Sequence, residues 1–177
     1  MKIEIIADKS GEGYKTANAL YEQAFAEIER RDETGQGRAL QSAAYRYGII
    51  TNDDGEPDGI MLYWETADFI YLEHFAVQPE KRNRGIASAA LTLLKEQKRK
   101  PIILEIEPPE DEITRRRYGF YLRNDFVMNP HRHFQIKYHE GDGDLELKIL
   151  SYPREFTAKE YSVFRDFLER EVAACSH

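Results

Sequence analysis

A single cysteine, Cys175, stands in 177 residues. An internal disulfide is therefore excluded, and the chain fits a reducing, cytoplasmic compartment. No apolar run approaches the length of a membrane span, which argues against a membrane protein. The opening MKIEIIAD carries Glu4 and Asp8 within its short apolar stretch, unlike a secretory signal. Positive charge is in deficit: Lys+Arg 25 against Asp+Glu 32 leaves a net charge of -7. A general nucleic-acid surface would need the opposite balance or a strong basic patch. Internal repeats and low-complexity linkers are also missing, so residues 1–177 read as one domain with enough chain for a proper core.

Aromatic residues are plentiful, with Tyr 11 and Phe 9, so large rings can build that core. Lys2–Ala7 alternates as a strand. Tyr14, Ala17, Tyr21, Ala24, Phe25 and Ile28 recur at helical spacing, and the polar, glycine-containing stretch 30–37 should end that helix. Strands are expected over 43–51 and 59–65, joined by the turn NDDGEPD, and again over 69–77, where Pro79 stops the run. From Gly85, residues Ile86, Ala89, Ala90, Leu93 and Leu94 form a helical apolar stripe. A buried strand over 101–107, a helix over 111–124, a hairpin over 126–150 around GDGD and a last helix over 157–172 complete the order.

The cations cluster at Lys81–Arg84, in the stretch YLEHFAVQPEKRNRGIASAALTLL (71–94). A strand runs into a basic Arg-x-x-Gly-x-Ala turn, and a helix starts at once. Freed backbone N–H groups at a helix start, small residues and nearby positive charge make an anion cradle suited to a polyphosphate.

Arg82, Gly85 and Ala87 occupy the three defining places of the Gln/Arg-x-x-Gly-x-Gly/Ala motif, and the segment resembles the acyl-CoA-binding turn of the GNAT superfamily of N-acetyltransferases. A second stretch, RRYGFYLRNDF (116–126), resembles a later motif of that family. Phe120 and Tyr121 fall on its aromatic pair, whereas Asp125 stands where the family has glycine. The resemblance implies an α/β (α+β) acyl-CoA N-acyltransferase fold, with a mixed, mostly antiparallel sheet flanked by helices. It also implies acetyl-CoA as cosubstrate, with no metal. The turn Arg82, Asn83, Arg84, Gly85, Ile86, Ala87 and Ser88 would hold the diphosphate (cofactor motif 71–98). The backbone of Phe75, Ala76 and Val77 would meet the pantetheine arm and polarise the thioester.

Transfer to an amine requires a neutral nitrogen, and amines of the lysine type have a pKa near ~10, so a base must help. Glu73 is the candidate: mid-strand, on the face of Phe75 and Val77, with aromatic neighbours that should raise its pKa. His74 should point to the opposite face. Tyr121, placed by the resemblance near the sulfur, is the candidate proton donor to the departing thiolate. Glu105 and Glu107 match a strand where acids are frequent in the family, or are polar residues on a solvated edge. His131, Arg132, His133 and Tyr138 would border the acceptor pocket. The histidine pair lacks a third ligand for a metal.

The expected activity is acetylation of a primary amine of a small molecule by direct attack (an acyltransferase, EC 2.3.1.-). Acetylation of a protein N-terminus or lysine, and a non-catalytic acyl-CoA-binding module, stay open. Homodimers are common in the family, and the aromatic C-terminal helix could serve one. Cys175 and His177 lie at an expected frayed end.

Overall fold

The computed structural model describes residues 1–7 and 9–176; Asp8 and His177 lie outside the described residues. Strands β1 (Lys2–Ile6), β2 (Tyr45–Thr51), β3 (Pro57–Glu65) and β4 (Ile70–Val77) form an antiparallel run. Next come β5 (Ile102–Ile106) and β8 (Glu146–Tyr152), which carries both β6 (Val127–Met128) and β7 (His133–Phe134). The sheet order is β1-β2-β3-β4-β5-β8-β6, and its one parallel pair is β4 with β5. That pair needs a crossover connection, and the helix after Gly85 supplies it.

Helices α1 (Glu12–Ala24), α2 (Glu33–Gln41) and α5 (Ala158–Phe167) cover one face. Their core is rich in rings: Tyr21, Tyr47, Trp64, Tyr71 and Phe164 are all at most 2 % exposed. Helices α3 (Ile86–Lys98) and α4 (Glu112–Arg123) cover the other face over Ile70, Leu72, Ile102 and Leu104. Each fully buried large side chain contributes roughly 1.5–3 kcal/mol relative to exposure. The aromatic side is therefore well supplied.

The expected architecture, an α/β fold with a mostly antiparallel sheet between helices, is the one observed, but three local expectations fail. The stretch 30–37 holds most of a second helix instead of a break. Asp32 caps it by accepting from Gly35 N at 2.6 Å. Gly35 hides the helix from a propensity reading, yet a Cβ there would lie 2.6 Å from Cys175 O. That contact also corrects the frayed end, since Ser176 is only 5 % exposed and the terminal segment packs on α2. The long hairpin over 126–150 is split into β6 and β7. Buried Asn129 sits at the break, donating to Ser151 Oγ at 2.7 Å and accepting from Phe156 N at 2.7 Å.

Candidate active site in the parted strands

Strands β4 and β5 pair only from Ile70↔Ile102 to Leu72↔Leu104. Beyond that point β4 stays with β3 as far as Val77↔Gly59, while β5 follows β8. The two strands part, and a cleft of about 740 Å³ opens between them. Main-chain groups of β4 past Leu72 face this opening with no strand to bond. Such an edge accepts an extended ligand as a further strand.

One end of the cleft is the turn before α3. Asn83 and Gly85 both take left-handed backbone, at φ 62 and φ 78. Asn tolerates that region and glycine adopts it freely. Gly85 is the N-cap of α3, with no side-chain cap, so the N–H groups of Ile86, Ala87 and Ser88 have no partner within the helix. A Cβ on Gly85 would meet nothing within 4 Å, so open space lies over the helix start. Arg82 and, from α4, Arg116, Arg117 and Arg123 line the same end. Arg116 is tied to the turn by donating to Asn83 Oδ1 at 2.7 Å. Lys81 is engaged by Asp58 at 2.8 Å, and Arg84 is exposed and outside the cleft lining. Of the residues expected at the cofactor, Phe75, Ala76, Val77, Arg82, Asn83, Gly85, Ile86, Ala87 and Ser88 line the cleft.

Tyr121 lines it as well, where α4 ends. Burial pushes its phenol up to about 12, so it holds its proton at neutral pH. Its hydroxyl makes no hydrogen bond among the described residues. Asp125, in place of the family glycine, takes φ 63, so the left-handed turn that ends α4 survives the replacement.

Glu73 departs from expectation. The register shifts so that Leu62 faces His74 and Tyr63 faces Leu72, which leaves Glu73 as the extra residue of a β-bulge. Alternation breaks there. Glu73 and His74 both turn toward α1, and Phe75 turns to the opposite face. The side chain of Glu73 is fully buried and ion-paired with Arg31, which donates twice, at 2.8 and 2.7 Å. Trp64 Nε1 and Tyr138 hydroxyl donate to the same carboxylate at 2.9 Å each. Burial alone would raise this carboxyl. The charges of Arg31 and His74 and the donated hydrogen bonds outweigh it, bringing the group down to about 2. The expected raised pKa is thus reversed, because a buried cation on another element was not visible in the strand pattern. Such a carboxylate makes a poor proton acceptor.

Glu105 is not on a solvated edge either. It lines the cleft from β5 with its side chain 9 % exposed. Tyr71 hydroxyl donates to one carboxylate oxygen at 2.5 Å, and His133 Nε2 contacts the other. Sequence reasoning noted it, with Glu107, as part of a strand where acids are frequent in the family or as a solvated edge, and gave it no catalytic role. His131 stacks on Tyr161, centroids 4.3 Å apart, and bonds Phe156 O at 2.9 Å, away from the cleft lining. Tyr138, Gln135, Phe25 and Glu29 close the end away from Gly85. Gln135 Nε2 bridges that end by donating to Ile28 O at 2.7 Å.

Residues 13–140 match the Acetyltransferase (GNAT) family. The chain belongs to that family. This GNAT protein is 30% identical to a solved structure from Bacteroides thetaiotaomicron, described as "Putative acetyltransferase from GNAT family". That likeness covers 98% of each chain with a TM-score of 0.90. It is also 34% identical over 83 residues to "Putative acetyltransferase YjbC" of Bacillus subtilis. The latter match covers 46% of this chain and 42% of the relative, so it spans less than half of that protein's length. A more distant structure, an aminoglycoside 6'-N-acetyltransferase complexed with coenzyme A, is 12% identical. It covers 85% of this chain and 96% of that one at a TM-score of 0.57, a likeness of fold alone. The family is one of acyltransferases.

Proposed function

We propose that the chain works as one catalytic unit that moves an acetyl group from acetyl-CoA to a primary amine of a small, cationic molecule. One observation carries the reading: the parted strands join a cation-lined, N–H-rich turn at one end to buried carboxylate and phenol groups farther in. The diphosphate lies over Gly85, Ile86, Ala87 and Ser88, with Arg82 and Arg116 beside it. The pantetheine arm adds to the free side of β4 through the main chain of Phe75, Ala76 and Val77, which also polarises the thioester carbonyl. A volume of about 740 Å³ falls within the range of small-molecule and cofactor sites.

The proton acceptor in this reading is Glu105, which faces the cleft and lacks the cation that disables Glu73. The ammonium's N–H bond breaks, its proton passes to a carboxylate oxygen, and the freed nitrogen attacks the thioester carbon. The nitrogen of the tetrahedral adduct, now cationic, passes its excess proton to solvent. Tyr121 gives its proton to the thiolate as the C–S bond breaks, and solvent then reprotonates the phenolate and deprotonates Glu105. Glu73 keeps a supporting place: with Arg31 it fixes the bulge that turns Phe75 and Ala76 into position. Glu29 and Glu105 line the cleft away from the arginine-rich turn and favour a cationic acceptor, whereas Glu107 is paired with Arg117.

The test joins binding to turnover. Acetyl-CoA should raise the melting temperature, and thiol should be released with at least one member of a panel holding spermidine, an aminoglycoside and an alanyl peptide. E105Q should lower that release about 100-fold, the low end of what a general base supplies. Stabilisation by acetyl-CoA with no thiol release from any amine would refute the enzymatic reading. Release with the peptide alone would refute the small-molecule acceptor.

A further inference from the structure

Three groups run back from the cleft, and the middle one, His133, is fully buried. Glu105 faces the cleft from β5, His133 lies behind with its side chain 0% exposed, and Tyr161 of α5 follows, hydroxyl 2.9 Å from His133 Nδ1. The carboxylate can only accept, so Nε2 of His133 carries the hydrogen shared with it. The Tyr161 hydroxyl also lies 3.0 Å from Arg132 O, and its single hydrogen goes either to that carbonyl or to Nδ1, which accepts when Nε2 carries the hydrogen. Phe164 packs against the imidazole with ring centroids 6.0 Å apart. Neither His133 nor Tyr161 lines the cleft, so neither touches a bound amine. Their geometry acts on Glu105 alone.

We propose that His133, clamped by Tyr161, is a positioning residue for Glu105. With Tyr71 it holds the carboxylate in one orientation, leaving a lone pair toward the acceptor nitrogen. Each carboxylate oxygen takes one donor, from β4 through Tyr71 and from β7 through His133. Donors to the charged form favour that form, and two of them also fix the group's rotation. The other polar groups around it are Tyr138, Glu73 beyond Tyr71, and Arg165 near Tyr161; among the described residues none of them hydrogen-bonds Glu105. Tyr71 is itself fully buried, and its hydroxyl stays protonated because burial and the Glu105 charge both raise it. The aim of Glu105 is therefore set by elements on both sides of it.

The inference rests on Glu105 as the proton acceptor, and the experiment separates the two. Thiol release is followed against pH with the best amine of the panel, at saturating acetyl-CoA, in wild type, E105Q, H133L and H133Q. H133L removes the donor while keeping bulk; H133Q restores an N–H at similar reach. For H133L we expect a fall in kcat/KM for the amine of about 10- to 100-fold, the worth of one hydrogen bond to a charged group. The acid limb of its profile should move to higher pH. H133Q should recover to within about threefold with the limb near its wild-type place, and acetyl-CoA affinity should stay constant throughout. Wild-type turnover in H133L overturns the inference, as do equal losses in H133L and H133Q with an unmoved limb. In either case a large loss in E105Q leaves Glu105 standing as the base. Wild-type release in E105Q removes the base and the inference with it.

Discussion

Arg31→Met removes the guanidinium that is doubly bonded to the Glu73 carboxylate while keeping an unbranched side chain in the same space. Both side chains of the pair are 0% exposed, so the variant leaves a carboxylate buried with only Trp64 and Tyr138 as donors. Losing one partner of a buried pair costs about 3–5 kcal/mol, far above the ~1 kcal/mol of an exposed pair. At about 2–4 °C per kcal/mol for a chain of this size, the melting temperature should fall by roughly 6–20 °C. The sign of the pH dependence follows from Glu73. Its folded value of about 2 lies below the ordinary 4.5, so its pairing stabilises the wild type above pH ~4.5 and is lost as pH falls toward 2. The difference of about 2.5 units corresponds to something on the order of 3 kcal/mol. In Arg31→Met the main opposition to burial is gone, with Trp64, Tyr138 and His74 left to offset it, so the folded value should rise and the penalty should be largest near pH 7 and shrink toward pH 4. Urea unfolding at both pH values measures it. The double variant R31M/E73Q should regain most of the loss at pH 7, because no unpaired charge stays behind. A loss below ~1 kcal/mol at pH 7, or a double variant no better than the single one, would refute the argument.

Other expectations follow from the same geometry. Y121F should leave acetyl-CoA affinity unchanged and lower kcat about 10- to 100-fold, read by single-turnover thiol release; an unchanged rate would remove Tyr121 as proton donor. Since burial holds that phenol at about 12, its contribution should persist to pH 10 and fail only above, so an earlier alkaline limb must come from another group. W64F should cost about 1.5–3 kcal/mol in urea unfolding, since the indole N–H donates to a buried charge at 2.9 Å. R116A should weaken CoA binding and flatten its dependence on salt in titration calorimetry, because Arg116 braces Asn83 and lines the phosphate end.

Much of the fold was legible in the sequence because period and punctuation agreed. The stripe after Gly85, the turn NDDGEPD ahead of β3 and the Pro79 stop after β4 each report one local cause. The strand β4 was legible as a strand but not in its facing, since a bulge depends on which β3 residue it opposes. Helix α2 was hidden by two glycines whose fitness lies in their packing. At the candidate site the turn over 82–88 could be read from residue types alone. Glu73 and Glu105 could not be told apart, because their difference lies in partners far along the chain: Arg31 in one case, His133 in the other. Long-range ion pairs leave no local trace in a sequence.

The central claim is that the diphosphate of CoA rests on main-chain nitrogens where Gly85 begins α3. Calorimetric titration of CoA into Gly85→Val tests it most directly. The left-handed backbone at φ 78 disfavours valine, and the new side chain would enter the open space above the helix start. The account predicts binding at least about tenfold weaker, with the circular dichroism spectrum preserved. CoA binding unchanged in a folded Gly85→Val would contradict it.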